Sequence, residues 1–161
     1  MSELGELLER FRRGPELVAS AATGAAGAEL DYVPGPDKWS VRQVLCHLAD
    51  SEIVLAERLR RIIAEDNPLL VAYDQNAWAR NLDYQRRRIA QALETFRHLR
   101  TENYELLKSL PEAAFERKGT HQERGEVTLH DQLHVYARHA EQHSHQIRGV
   151  RTAYKESKSK T

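Results

Sequence analysis

From Val41 to Ile63 the chain reads VRQVLCHLADSEIVLAERLRRII, with neither glycine nor proline. Its residues Val41, Val44, Leu45, Leu48, Leu55, Leu59 and Ile62 recur at the three- and four-residue steps of one helix face. Ser40, directly before the run, is a good N-cap. A stripe this long and wide is one wall of a helical bundle core, and it demands partner helices of similar length. Glycine and proline gather elsewhere: Gly14-Pro15, Gly24 and Gly27, Pro34-Gly35-Pro36, Pro68, Pro111, Gly119 and Gly125. These breaks leave three further helical segments. One spans Glu3 to Ala22 with an interruption at Gly14-Pro15, and another spans about Asn81 to Leu110, with Leu82, Ile89, Leu93, Phe96, Leu107 and Leu110 at helical spacing and Pro111 as the stop. The last starts after Thr128 and reaches about Ala153; Leu129, Leu133, Tyr136, Ala140, Ile147 and Val150 form its stripe, with His143 at the one vacant step. No strand-like alternation of comparable length competes. The expected fold is an all-α four-helix bundle, a single domain over residues 1–154. Its long connections are NPLLVAYDQNAWARN between the second and third helices and FERKGTHQERGEV between the third and fourth. The charged end KESKSKT, residues 155–161, is expected to be disordered.

Charge narrows the functional classes. Lysine plus arginine and aspartate plus glutamate number 24 each, so the net charge is zero and the basic excess of a nucleic-acid surface is missing. The block Arg86-Arg87-Arg88, flanked by Asp83, Glu94 and Glu102, reads as a solvated helix face. No apolar run is long enough to span a bilayer and the start lacks a signal-peptide core, so a cytoplasmic protein is expected. The one cysteine, Cys46, permits no internal disulfide. It stands next to His47, but neighbours on a helix point about 100° apart, so a small buried or half-buried thiol is expected and not a Cys-His pair.

The histidines carry the chemistry. On a wheel of the fourth helix the stripe centres about 30° from His143, with His139 about 40° to the other side; His130, His134 and His145 fall roughly 140° to 200° away. His130 and His134 share the i, i+4 spacing of His139 and His143 yet face solvent, so spacing alone does not separate the pairs. On the second helix His47 stands at the stripe edge. If the two helices are neighbours, His47, His139 and His143 converge as a His₃ site with open positions, suited to nickel, zinc or a related divalent ion. Hydrogen-bonded packing histidines are the competing reading. Metal affinity is expected to fall below about pH 6.5, since ligands must be neutral. Asp50, Glu52 and Glu141 are candidate orienters or bases for such a site, with surface solvation the expected role of each taken singly.

WSVRQVLCHLADSE (Trp39 to Glu52), YDQNAW (Tyr73 to Trp78) and GEVTLHDQLHVYARHAEQHSHQI (Gly125 to Ile147) resemble the DinB-like superfamily. Within it they look closest to the branch of metal-dependent hydrolases and bacillithiol-type S-transferases. The resemblance implies a divalent metal held by His47, matching a histidine of the second helix, and by His139 and His143, matching an HxxxH motif of the last. Relatives often carry two adjacent histidines where this chain has Cys46-His47, and a further histidine where it has Gln146. The implied activity is transfer of a low-molecular-weight thiol to an electrophile. Hydrolysis and metal binding without turnover stay open as alternatives. Tyr73, Trp78 and His121, on the long connections, are the expected substrate-binding residues, and a homodimer is expected from the family.

Overall fold

The computed structural model describes residues 1–160. The first bundle corner is a broken helix, α1 (Glu3–Arg12) followed by α2 (Gly14–Ala22). Pro15 causes the break: it has no N–H, so the Phe11 carbonyl loses its helical partner four residues on. α3 (Val41–Ala64) opens at Ser40 with a capping box in which Ser40 and Gln43 each satisfy the other's backbone N–H. α5 (Ile89–Lys108) and α6 (Leu129–Ser159) complete the bundle. α6 opens on an equivalent box between Thr128 and Asp131. α3 packs on α5 and α6, and the α1–α2 pair also packs on both, so α3 and the broken helix occupy opposite corners. The neighbour relation that a three-histidine site requires, α3 beside α6, is therefore present.

Three differences from the sequence reading have physical causes. The third helix starts at Ile89, not near Asn81. Residues 81–88 instead leave the short helix α4 (Gln75–Asn81), pass through Asp83 in a left-handed conformation (φ 52°) and make a 3₁₀ turn at Tyr84–Arg86. The arginine triplet is consequently not a helix face: Arg87 turns inward and donates to both Asp50 oxygens at 3.0 and 2.9 Å. The expected disordered end is helical through Ser159, with Tyr154 packed edge-on against Tyr32, ring centroids 5.5 Å apart; Thr161 lies outside the described residues.

The connection between the third and fourth helices holds strands that short, glycine-containing polar runs did not announce. β2 (Lys118–His121) and β3 (Gly125–Thr128) form a hairpin, and β1 (Leu69–Leu70) joins β2 in parallel, pairing Leu70 with His121. Gly125 at φ 76° is where the turn needs a residue without Cβ. Through Leu70 and Val127 this small sheet, with Phe115 of the 3₁₀ turn at Glu112–Glu116 before it, caps the bundle end formed by Leu55, Leu59, Ile62, Leu129 and Leu133. It sets the long connections over the polar middle of the core.

Near that middle a buried ion pair joins the corners. Arg100, 1% exposed, makes a two-pronged contact to Glu52, 0% exposed, at 2.8 and 2.9 Å. Its Nη1 donates to the Phe11 carbonyl at 2.8 Å, replacing the N–H that Pro15 lacks. Asn103 donates to the same Glu52 carboxylate at 3.0 Å. Gly14 makes room, since a Cβ there would stand 2.5 Å from Arg100 Nη1 and 2.9 Å from the Ala140 Cβ.

Candidate metal centre

His47 lies on the apolar face of α3, while His139 and His143 are one turn apart on α6. Their rings meet inside the bundle: His47 Nε2 is 3.1 Å and His143 Nε2 2.9 Å from His139 Nε2. All three ligand atoms fall within 4.8 Å of one another. The rings are held from outside. Trp39 packs edge-on against His47 at a centroid distance of 5.1 Å, and Tyr136 lies 5.6 Å from His139. Gln146 Oε1 is 2.6 Å from His143 Nδ1. A proton on that Nδ1, donated to the amide oxygen, leaves Nε2 with its lone pair turned to the cluster.

The electrostatics suit a cation. Burial, reinforced by the neighbouring His143, pushes His47 from the ordinary 6.5 to about 3. Burial and both partner histidines push His139 to about 2, and burial lowers His143 as well. Imidazoles held neutral are the form that binds metal. Two ligands each about 2.0–2.1 Å from one ion can stand no more than about 4.2 Å apart, and the spacings of 2.9 and 3.1 Å fall within that reach. Lone pairs brought this close in a buried site repel unless a proton or an ion lies between them. The donor set, three neutral nitrogens, matches zinc or nickel better than magnesium or calcium.

The remaining sequence candidates divide. His130, His134 and His145 are exposed, as the wheel placed them, and take no part in the cluster. A cavity of about 130 Å³ lies beside His139, with Ser51, Arg58, Tyr73, His121, Gln132 and Tyr136 in its wall. Tyr73 and His121 are thus brought to the centre. Trp78 is not in that wall; it packs against Tyr73, ring centroids 4.5 Å apart, and supports it. His121 is held by the hairpin turn, its Nδ1 accepting from the Glu123 and Arg124 N–H groups at 3.1 and 3.2 Å. The three carboxylates expected near the metal are engaged elsewhere. Asp50 accepts from Tyr84 Oη and Arg87, Glu52 from Arg100 and Asn103, and Glu141 from Arg10. Gln146 takes the orienting role instead. Cys46 is fully buried and burial raises its thiol to about 11, which leaves it an inert packing group.

Arg58, Gln132 and Ser51 escaped the sequence reading, though a signal for them existed. Arg58 is eleven residues and Ser51 four residues from His47, placing them within about 20° and 40° of it on the wheel. Gln132 precedes His139 by seven, about 20° away. Polar residues interrupting an apolar face in line with a candidate ligand are the mark to look for.

Residues 10–147 match the DinB superfamily. A relative from Oceanobacillus iheyensis, named "Putative metal-dependent hydrolase", is 30% identical over 140 residues, covering 87% of this chain and 81% of its own. One from Bacillus licheniformis with the same description is 32% identical over 155 residues, covering 92% and 85%. The solved structure of YfiT from Bacillus subtilis superimposes with a TM-score of 0.87 at 25% identity, covering 93% of this chain and 87% of that one. It is described as a probable metal-dependent hydrolase with an unusual four-helix bundle topology. With its four-helix bundle and most of its length matched, this chain belongs to the DinB superfamily.

Proposed function

We propose that the protein is a metal-dependent enzyme acting on a small substrate held in the cavity beside His139, with His47, His139 and His143 as the metal ligands and hydrolysis as the reaction. The convergence of three neutral Nε2 atoms from two helices carries this reading. The relatives named as metal-dependent hydrolases support the reaction class. A divalent ion there would supply Lewis acidity and lower the pKa of a water or thiol brought to it. The chain's own part is positioning. Gln146 keeps the His143 tautomer, Trp39 and Tyr136 restrain the other two rings, and Tyr73, Tyr136 and Arg58 wall the substrate against bulk water.

Transfer of a low-molecular-weight thiol is the second reading, favoured by one observation. Among the described residues the only carboxylate in the cavity wall is Glu123, on the exposed hairpin turn, and buried His121 uses its Nδ1 lone pair on the Glu123 and Arg124 N–H groups, so neither stands ready as a buried base for water. A thiol, with an ordinary pKa of about 8.5, gives its proton to solvent without one, and its sulfur then bonds to the electrophilic carbon as the leaving group departs with the bonding pair. Cys46 is too deeply buried to supply that sulfur, which would come from the cosubstrate.

Metal content measured by mass spectrometry on untagged protein tests the site. Near-stoichiometric nickel or zinc, lost in His139→Ala and kept in His134→Ala, is expected; a chain that takes up neither metal refutes it. Incubating the zinc-loaded chain with nitrophenyl acetate, or with cysteine and chlorodinitrobenzene, separates the reactions. The first gives a product carrying water, the second a thioether.

A further inference from the structure

Among the described residues, three buried side-chain atoms lack a hydrogen-bond partner: Arg58 Nε, Gln132 Oε1 and His139 Nδ1. All three belong to residues lining the one cavity of about 130 Å³ beside the histidine cluster. Buried polar groups are almost always paired, so three orphans among the residues of one cavity wall mark where the hydrogen bonding of the core is incomplete. Arg58 is the most informative. It is 7% exposed and forms no ion pair. Its Nη1 donates to Tyr136 Oη at 3.3 Å and its Nη2 to the Val71 carbonyl at 2.7 Å, contacts that fix the guanidinium without neutralising it. The buried carboxylates of α3 are already held, Glu52 by Arg100 and Asn103 and Asp50 by Tyr84 and Arg87. Arg124 adds a second positive charge at the cavity wall and Glu123 one negative charge.

We propose that this cavity is a carboxylate-binding subsite, in which Arg58, held by Tyr136 and Val71, binds the carboxylate of a small substrate while Gln132 reads a neighbouring polar group. A buried, unpaired guanidinium is a strong attractor for a carboxylate, because the desolvation of Arg58 has already been met in folding. The volume suits a group of a few heavy atoms, and the charges of the wall, Arg58 and Arg124 against Glu123, leave one net positive charge, which matches a monoanion better than a phosphate dianion. His139 borders the same cavity, so a substrate anchored by its carboxylate presents its adjoining atoms to the histidine cluster. That last step rests on the reading of the cluster as the reactive centre; the anion subsite itself does not.

The test uses acetate as probe and the full chain, prepared both metal-free and zinc-loaded. Acetate binding is followed by equilibrium dialysis and by the ¹⁵N–¹H signal of the arginine Nε groups. The Arg58 resonance is the one missing from the Arg58→Lys spectrum. Acetate is expected to bind both forms and to shift the Arg58 Nε–H signal downfield. In Arg58→Lys and Arg58→Gln binding weakens about ten- to a hundredfold, the size of a lost charge-assisted hydrogen bond. The surface variant Arg10→Gln leaves it unchanged. Binding that requires zinc and ignores Arg58 would make acetate a metal ligand only and overturn the subsite. An unmoved Nε–H signal in the wild-type chain with no acetate bound would mean that water alone satisfies these groups, which also overturns it. The wild-type signal stands independently of whether the variants fold. Acetate bound through Arg58 in a chain that takes up no metal would leave the subsite standing and remove only the metal reading.

Discussion

Replacing Arg100 by methionine tests how the bundle is held around its site. Methionine replaces the aliphatic stem of the side chain but carries neither its charge nor its donors, and three losses follow. Glu52, 0% exposed, is left with Asn103 as its one remaining donor. The Phe11 carbonyl, deprived of a helical N–H by Pro15, loses the Nη1 donor at 2.8 Å. The guanidinium stacked 4.0 Å over the Phe11 ring disappears. Breaking a buried ion pair from one side costs about 3–5 kcal/mol, and an orphaned buried carbonyl about 1–3 kcal/mol. The two overlap, so about 4–6 kcal/mol is expected, a large part of a domain's stability. Urea unfolding followed by far-UV circular dichroism measures it. The double variant Glu52→Leu with Arg100→Met removes both charges, and it should recover at least half of the loss, because the stranded carboxylate costs more than the orphaned carbonyl. A single variant that costs under about 1 kcal/mol, or a double variant as damaged as the single one, would refute the reading of Arg100 and Glu52 as a desolvated, mutually dependent pair.

Acid should weaken the metal-free protein through its histidines. Their folded pKa values are pushed down, His47 to about 3 and His139 to about 2, so below the ordinary 6.5 the unfolded chain binds more protons than the folded one. Stability contributed by their neutral burial is full above about pH 6.5 and is lost as pH falls from there towards 3, by up to about 1.4 kcal/mol per pH unit for each histidine. Urea midpoints at several pH values should show that slope, and His139→Gln should flatten it. The same depression corrects the simple expectation for metal: zinc retention should extend below pH 6.5, which dialysis at pH 5.5 against metal-free buffer checks. Gln146→Leu removes the acceptor at His143 Nδ1 and should weaken zinc binding about ten- to a hundredfold in chelator competition, with little change in the unfolding midpoint. Gly14→Ala, normally favourable in a helix by up to about 1 kcal/mol, should here destabilise by about 1–3 kcal/mol, since its Cβ meets Arg100 Nη1 and the Ala140 Cβ; thermal melts decide the sign.

Local periodicity carries a helix and its buried face, because both depend on residues three and four apart. The stripes of Val41–Ile62 and Leu129–Val150, the caps at Ser40 and Thr128, and the inward turn of His139 and His143 against the outward turn of His130 and His134 were therefore legible in the chain. Where long-range partners decide, the sequence was silent. Whether His47 meets the α6 pair depends on α3 lying beside α6. The fates of Asp50, Glu52 and Glu141 depended on which arginine each would find 37, 48 and 131 positions away. The hairpin at Lys118–Thr128 formed from strands too short to alternate visibly, because pairing and the bundle end beneath them supply what their own pattern lacks. Arg58 shows the division most sharply. Its helix and face follow from its distance to His47, but that it is buried and fixed by Tyr136 and the Val71 carbonyl, with no carboxylate of the described residues beside it, is a property of the packed core alone, because only packing decides which charges lose their water and which partners they meet.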